Sequence, residues 1–270
     1  MNTEIEAIRL EARKQFIALV GQNSDSIPLD QSAAWMCAEE LGLQSIDGMI
    51  SAIDSLVEGL YIPEDADCFG VVARLNHRLF KEVGFHGALE QYDDPAHSML
   101  NGVLESKTGL PIMLCLIYIE VAKRLGIEVH GIGFPTHFLV SPAGSTPRFF
   151  VDPYGEGRVL RMDRIEGWFQ RVLAKTDGRV PPLTWWLRPV TGRQLLLRMN
   201  NNLRSSYMRR NDLEGALRCV ERILCLTPDA LDVRRDRGLL RFELGLEEEG
   251  AADVDAYLAA RKQPQGWLDG

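Results

Sequence analysis

The sequence predicts an α+β fold on three observations. A run that is apolar on nearly every side, Pro111 to Leu125, reads as one buried helix. Three short β-prone stretches follow it, EVHGIGF, THFLVS and RFFVD, set between glycines and prolines as the strands of a small antiparallel sheet would be. The last 80 residues keep helical spacing and repeat at an offset of 35. The expected organisation is a helical N-terminal region over 1–60, a helix-against-sheet core over 61–180, and helical repeats over 190–264.

Within 1–60, Leu29-Asp30-Gln31-Ser32 offers N-caps before a helix over Ala33–Leu41, and Gly42 supplies its stop. Ser45 or Asp47 caps a further helix ending near Gly59. Pro63-Glu64-Asp65 is expected to open the next helix, with Val71, Val72, Leu75, Leu79 and Phe80 at helical spacing, and to end near Gly84. GALEQYDDPAHSML, from Gly87, is a loop with turn chemistry at Asp93-Asp94-Pro95. Pro111 suits the first turn of the buried helix, because its missing N–H falls among donors that lack a helical partner anyway. Gly126 is the natural stop. After the strands, helical spacing resumes at Arg161 with Trp168, Phe169 and Val172 on one side. PPLTWWLRPVTG, from Pro181, is a linker expected to pack through Trp185 and Trp186.

Near the C-terminus Glu214-Gly215-Ala216 recurs as Glu249-Gly250-Ala251, each before an amphipathic helix that ends near a proline, Pro228 or Pro264. A period of this length is the tetratricopeptide signature, helix–turn–helix with small residues where helices touch. The units are 193–228 and 229–264. Two units bury too little to stand as a solenoid, so they are expected to dock on the preceding domain. The alternative is an unrelated pair of helical hairpins.

Composition sets the class. Apolar residues make up 46% and charged residues 25% of the 270, which is ordinary globular chemistry with enough chain for a core that needs neither metal nor disulfide. The five cysteines, Cys37, Cys68, Cys115, Cys219 and Cys225, form no CxxC, which points to a reducing cytoplasm. The five histidines lack ligand spacing to them, so no metal and no cofactor is expected. The first residues are acidic and amphipathic, unlike a signal peptide, and the longest apolar run, Leu110–Ile119, is too short to span a bilayer. The net charge of −8 disfavours nucleic acid. That charge is uneven, with 13 acidic and 3 basic side chains over 1–70 against 11 arginines and 6 acids over 191–241. The arginine-rich segment either attracts an acidic protein partner or is a solvated helical surface.

Chemistry concentrates in Phe134–Gly157, FPTHFLVSPAGSTPRFFVDPYGEG. A hairpin symmetric about Gly144-Ser145 puts His137 opposite Asp152, Leu139 opposite Phe150 and Ser141 opposite Arg148, all on one face. Opposed Cβ atoms lie roughly 4.5–5.5 Å apart, close enough for the carboxylate to fix the imidazole as in Cys-His-Asp triads. A structural His–Asp pair would look the same. A nucleophile belongs at the N-terminus of a neighbouring helix, where free N–H groups depress a thiol pKa and can form an oxyanion site. The helix at hand opens with Leu110, Pro111, Ile112 and Met113, none of which can attack a carbonyl. Cys115 lies about 6 Å further along the axis, and between Leu114 and Leu116 it reads as a small buried apolar residue.

LNHRLFKEVGFHG, YDDPAHSMLNGVLESKTGLPIMLCLIYIEVAKRLGIEVHGIGFPTHFLV and RFFVDPYGEGRVL resemble the bacterial Sir-B type family, from about Ile50 to Pro264. The resemblance implies a papain/transglutaminase-like domain followed by tetratricopeptide repeats. Such domains use Cys, His and Asp, the Cys opening a helix about 15 residues before a Gly-Ile-Pro-like turn. Gly126-Ile127 matches that turn, and the count back reaches Pro111; the His and Asp positions match His137 and Asp152. The resemblance therefore implies a scaffold without the thiol nucleophile. The chain departs from the family pattern at Met113, where a small hydroxyl residue is common, at His97, often Asn, and at Thr136, often Gly. His97-Ser98 either lines the same cleft or caps the next helix; Asn76 and Asn101 are further polar candidates for its rim.

Three functions remain open from sequence, the third being a proteolytic or regulatory adaptor whose effect on gene expression is indirect. The first is a non-catalytic module that binds a protein or peptide, with Arg198, Arg204, Arg209 and Arg218 supplying charge on the repeats, and with a regulatory association carried by the family resemblance. The second is a cysteine hydrolase or acyltransferase using Cys115, His137 and Asp152 in an unusual geometry. No basic recognition helix for DNA is visible, and the oligomeric state is not legible.

Overall fold

The structure is a computed structural model that describes residues 2–21, 27–90, 93–135, 137–146, 148–176 and 178–262. Thr136, Pro147 and the repeat boundary at Pro264 lie outside the described residues. The chain divides into two compact units, Met1–Met199 and Asn200–Gly270.

In the first unit α1 (Asn2–Val20), α2 (Leu29–Leu41) and α3 (Asp47–Asp54) form the helical N-terminal region. Helix α2 starts at Leu29, one turn earlier than its polar residues suggest. Pro28 is its N-cap and the Ser32 N–H already bonds the Pro28 carbonyl, so no side chain caps it. Gly42 stops it at φ 67°, in the left-handed region that favours glycine. Helix α4 (Cys68–Asn76) also departs from expectation: Pro63-Glu64-Asp65 stays in a turn, and Asp67 caps the helix by accepting from the Gly70 N–H at 2.7 Å. A π-helical segment, His77–Glu82, continues it and keeps Leu79 and Phe80 buried.

A two-residue parallel pair, β1 (His86–Gly87) with β2 (Thr108–Gly109), brackets a 3-10 turn at Pro95–Ser98 and α5 (Leu100–Ser106). Helix α6 (Pro111–Arg124) is the core: every residue from Pro111 to Tyr118 is buried. It packs on the antiparallel sheet β3 (Val129–Ile132), β4 (Leu139–Pro142), β5 (Phe150–Asp152) and β6 (Arg158–Leu160), whose spatial order follows the chain. Strand β6 was not expected from sequence. Helix α7 (Met162–Lys175) covers the sheet with Ile165 and Phe169, which join Ile132, Phe134, Leu139, Phe150 and Leu187 in a buried cluster. The short α8 (Leu183–Trp186) presents Trp186 to that cluster and leaves Trp185 47% exposed. The two indoles pack on each other, with ring centroids 4.7 Å apart and edge to face, while Trp186 alone of the two reaches the cluster.

Helix α9 (Gly192–Arg209) runs across the division. The second unit continues with α10 (Leu213–Leu226), α11 (Leu231–Glu243) and α12 (Glu247–Lys262). The recurring glycines have one physical cause. A Cβ on Gly215 would meet the Tyr207 ring at 2.8 Å, and one on Gly250 would meet the Phe242 ring at 3.1 Å. Tyr207 and Phe242 stand at the same offset as the glycines, so each repeat seats an aromatic ring on a glycine of the following helix.

Candidate functional site

His137 lies in the β3–β4 connection, two residues before β4, and Asp152 ends β5. Val140 stands opposite Val151, so the hairpin is centred between Ser145 and Thr146, one residue later than expected. Leu139 therefore does not face Phe150, nor Ser141 Arg148. Ser141 Oγ donates to the Phe149 carbonyl at 3.0 Å, and Arg148 turns to the Leu187 carbonyl with its guanidinium over the Phe150 ring. A register error of two residues leaves the faces unchanged. His137 and Asp152 accordingly remain on one side and meet on a diagonal, with Nε2 2.8 Å from Oδ1.

Asp152 is buried and well held. Oδ1 also accepts from the Gly155 N–H at 3.1 Å, and Oδ2 from Arg158 Nη2 at 2.8 Å. Burial pushes its carboxyl pKa up, but the hydrogen bond and charge of His137, then Arg158 and Gly155, outweigh burial and hold it below the usual carboxylate value. The His137 ring stands edge-on between Tyr154, 5.8 Å away, and Trp168, 5.5 Å away. Arg158 bridges the Asp152 carboxylate and the Trp168 face. Arg198 Nη2 donates to the His137 carbonyl at 2.9 Å and the guanidinium lies over the Phe138 ring. That placement corrects the expectation for Arg198: it braces the backbone at the histidine instead of charging a repeat surface.

The α6 mouth is hydrocarbon, with Leu110, Pro111, Ile112, Met113 and Leu114 all buried. Cys115 is fully buried, and its thiol donates to the Phe138 carbonyl at 3.4 Å, one residue beyond His137. Burial pushes its pKa well above the ordinary thiol value, the Asp152 charge pushes the same way, and Arg198 offsets only part. This is the reverse of the electropositive setting that makes a thiolate.

Asn76 reaches the turn after Asp152, its Nδ2 donating to the Gly157 carbonyl at 2.6 Å. The His97 carbonyl accepts from the Leu110 N–H at 3.0 Å, fixing the entry to α6 through backbone. Helix α5 has Met99 as N-cap without a side-chain bond, so His97-Ser98 does not cap it. Asn101 Oδ1 and Ser98 Oγ are buried without a partner among the described residues. In the second unit Arg204 pairs with Asp236 at 3.3 Å, and with Arg209, Met208 and Leu239 it lines a cavity of about 680 Å³. Arg218 is half-buried on α10, outside that lining.

Sequence reasoning missed Arg158, Tyr154 and the cavity of about 270 Å³ beside His137, walled by Phe134, Trp168 and Val172 and edged by Arg171 and Lys175. A signal existed in the last four: Trp168, Arg171, Val172 and Lys175 fall at the i, i+3, i+4, i+7 spacing of one helix face. Among the described residues no cluster of His, Cys, Asp and Glu could hold a metal ion, and no helix is long and apolar enough to cross a membrane.

Residues 43–201 match the family model of the transglutaminase-like superfamily, and residues 203–266 match a tetratricopeptide repeat model. A UPF0162 protein of Xylella fastidiosa (strain 9a5c) is 33% identical over 248 residues, covering 89% of this chain and 86% of that protein. A UPF0162 protein of Vibrio cholerae is 28% identical over 67% of this chain and 66% of its own length. Human F-box only protein 21 is 27% identical over 188 residues, 66% of this chain and 29% of that protein.

Proposed function

The chain belongs to the transglutaminase-like superfamily, and on that premise we propose that it is a non-catalytic member acting as a protein- or peptide-binding module. The carrying observation is the filled nucleophile position. Where the family resemblance places a thiol at a helix mouth, this chain has Pro111 in a buried apolar turn, and Cys115 is one turn too deep. The His137–Asp152 couple then acts as architecture, tying the β3–β4 connection to the end of β5. Tetratricopeptide repeats generally serve protein–protein contacts, which supports the binding half of the reading. The free cysteines fit a reducing compartment, and a cytoplasmic, regulatory setting is part of the proposal.

The test is turnover of ester, amide and glutamine–amine acyl-transfer substrates by the wild type and by His137→Ala. Both should match buffer blanks, while a peptide library should yield ligands that the wild type binds and leaves intact. A wild-type rate that falls about a hundredfold or more in His137→Ala would overturn the non-catalytic half. Failure of every library peptide to bind would overturn the other half.

One observation favours a second reading. The 2.8 Å His137–Asp152 bond and the contact of Cys115 with the Phe138 carbonyl keep thiol, imidazole and carboxylate in one neighbourhood. A cysteine hydrolase or acyltransferase would use them if the thiol swung toward the ring. Loss of turnover in Cys115→Ala is its signature.

A further inference from the structure

We infer that the cavity beside His137 is a binding site for a carboxylate borne directly on a small apolar group. The inference rests on the non-catalytic reading and names the ligand class of that site.

The cavity lies between the β3–β4 connection, which supplies Phe134 and His137, and one flank of α7, which supplies the partly buried Trp168 and Val172 and the exposed Arg171 and Lys175. Its volume of about 270 Å³ suits one ring or branched aliphatic group together with a small polar head. The walls are apolar. Trp168 stands edge-on to the imidazole, and Phe134 lies 6.2 Å from the indole. The rim carries the opposite chemistry. Arg171 and Lys175 are exposed one helical turn apart, and neither makes an ion pair among the described residues.

The wall histidine adds a directed group. Nε2 is engaged with Asp152, so Nδ1 is the nitrogen left to a ligand. The site thus presents an apolar slot, one imidazole edge and two cations on one side, with no carboxylate among the described residues of its lining. A neutral apolar ligand would leave the two cations unused, and a bare inorganic anion would leave the slot unfilled. A carboxylate on an apolar body uses both. Such a group comes either as a free small acid or as the C-terminus of a peptide ending in an apolar residue.

The experiment is titration calorimetry on the full chain with four probes: 3-phenylpropionate, its neutral amide, an N-acetylated hexapeptide ending in a free phenylalanine carboxylate, and the same peptide amidated. Inorganic phosphate serves as competitor. At least one acid should bind saturably, and its amide should bind about tenfold more weakly or not at all. The tighter of the two acids identifies the source. Arg171→Ala with Lys175→Ala, both on the exposed face of α7, should weaken acid binding about tenfold with an unchanged melting temperature. Lys14→Ala, a charge removed from α1, should leave binding unchanged. The inference is overturned if neither acid binds, if acid and amide bind alike, if the double variant binds as wild type does, or if inorganic phosphate displaces the acid at equal concentration. Cleavage of the hexapeptide, read by mass spectrometry, would instead sink the non-catalytic reading and leave the pocket chemistry standing.

Discussion

His137 Nε2 stands 2.8 Å from Asp152 Oδ1 while Arg158 Nη2 stands 2.8 Å from Oδ2, so one buried carboxylate joins three segments of the sheet. Asp152→Asn keeps the shape and removes the charge. It should cost about 1.5–3 kcal/mol near neutral pH, the range for hydrogen bonds to a charged group, as measured by urea unfolding. The native carboxyl is held below its ordinary pKa. Its stabilisation is therefore full above the unfolded carboxylate pKa and is lost as pH falls through the native value. The gap between wild type and variant should close in acid. A gap that stays constant down to the acid transition would show that Asp152 is not ionised in the fold.

The cysteines give an order of reactivity. Cys115 is buried with its thiol pKa raised, while Cys68 is partly exposed in the first turn of α4. With iodoacetamide near neutral pH, mass mapping should find Cys68 alkylated well before Cys115, and Cys115 only as fast as the protein opens. Addition of urea below the unfolding midpoint should accelerate Cys115 alone of the two. Prompt alkylation of Cys115 in the native protein would transfer support to the hydrolase reading.

What could be read in advance follows from where the determining forces lie. Helix α6 was legible because its signals are local: apolar on all sides, a proline at its start and Gly126 at φ 72° after it. The repeats were legible because Gly215 and Gly250 answer to rings on the preceding helix at a fixed offset. The His137–Asp152 couple survived a misplaced hairpin centre because side chains alternate with period two, and the error was two. Arg158 was not legible, since β6 is three residues long and carries no pattern. Arg198 was read from the arginine content of its segment, whereas its partners, the carbonyls of Phe134 and His137, lie over 60 residues away in sequence. The cavity is a tertiary product of the same kind, one helix face closed by a loop.

Gly157 tests how tightly the turn after Asp152 is built. Its φ is +77°, and a Cβ there would fall 2.4 Å from Asn76 Cγ. Gly157→Ala should cost about 1–2 kcal/mol for the left-handed backbone, and more for displacing Asn76 from the Gly157 carbonyl. Asn76→Ala alone should cost about 0.5–1.5 kcal/mol through the lost hydrogen bond. Combined, the two should cost clearly less than their sum, because removal of the Asn76 amide also removes the clash. Additive costs in denaturant unfolding would mean that the asparagine does not abut this glycine.

Arg124, in the last turn of α6, is ringed by acids: Asp30 at 2.7 Å, Asp54 at 2.6 Å and Glu120 at 3.0 Å. The Glu120 side chain is 2% exposed, and burial, followed by the Asp30 charge, raises its pKa above the ordinary value of 4.5 against the opposing pull of Lys123 and Arg124. Arg124→Met leaves that carboxylate without its main counter-charge and should cost about 3–5 kcal/mol near pH 7.5. The pH dependence has a definite sign. A carboxyl whose native pKa lies above its unfolded value binds its proton more readily when folded. Folding therefore gains as pH falls through the native value and levels off below the unfolded one. Loss of Arg124 raises the native value further, so the deficit of the variant should shrink when unfolding is repeated near pH 5.5. Glu120→Gln added to Arg124→Met should recover part of the loss near pH 7.5, leaving the share due to Asp30. A deficit indifferent to pH and unrelieved by the glutamine would show that Arg124 acts through packing of its stem and not as the counter-ion of a buried acid.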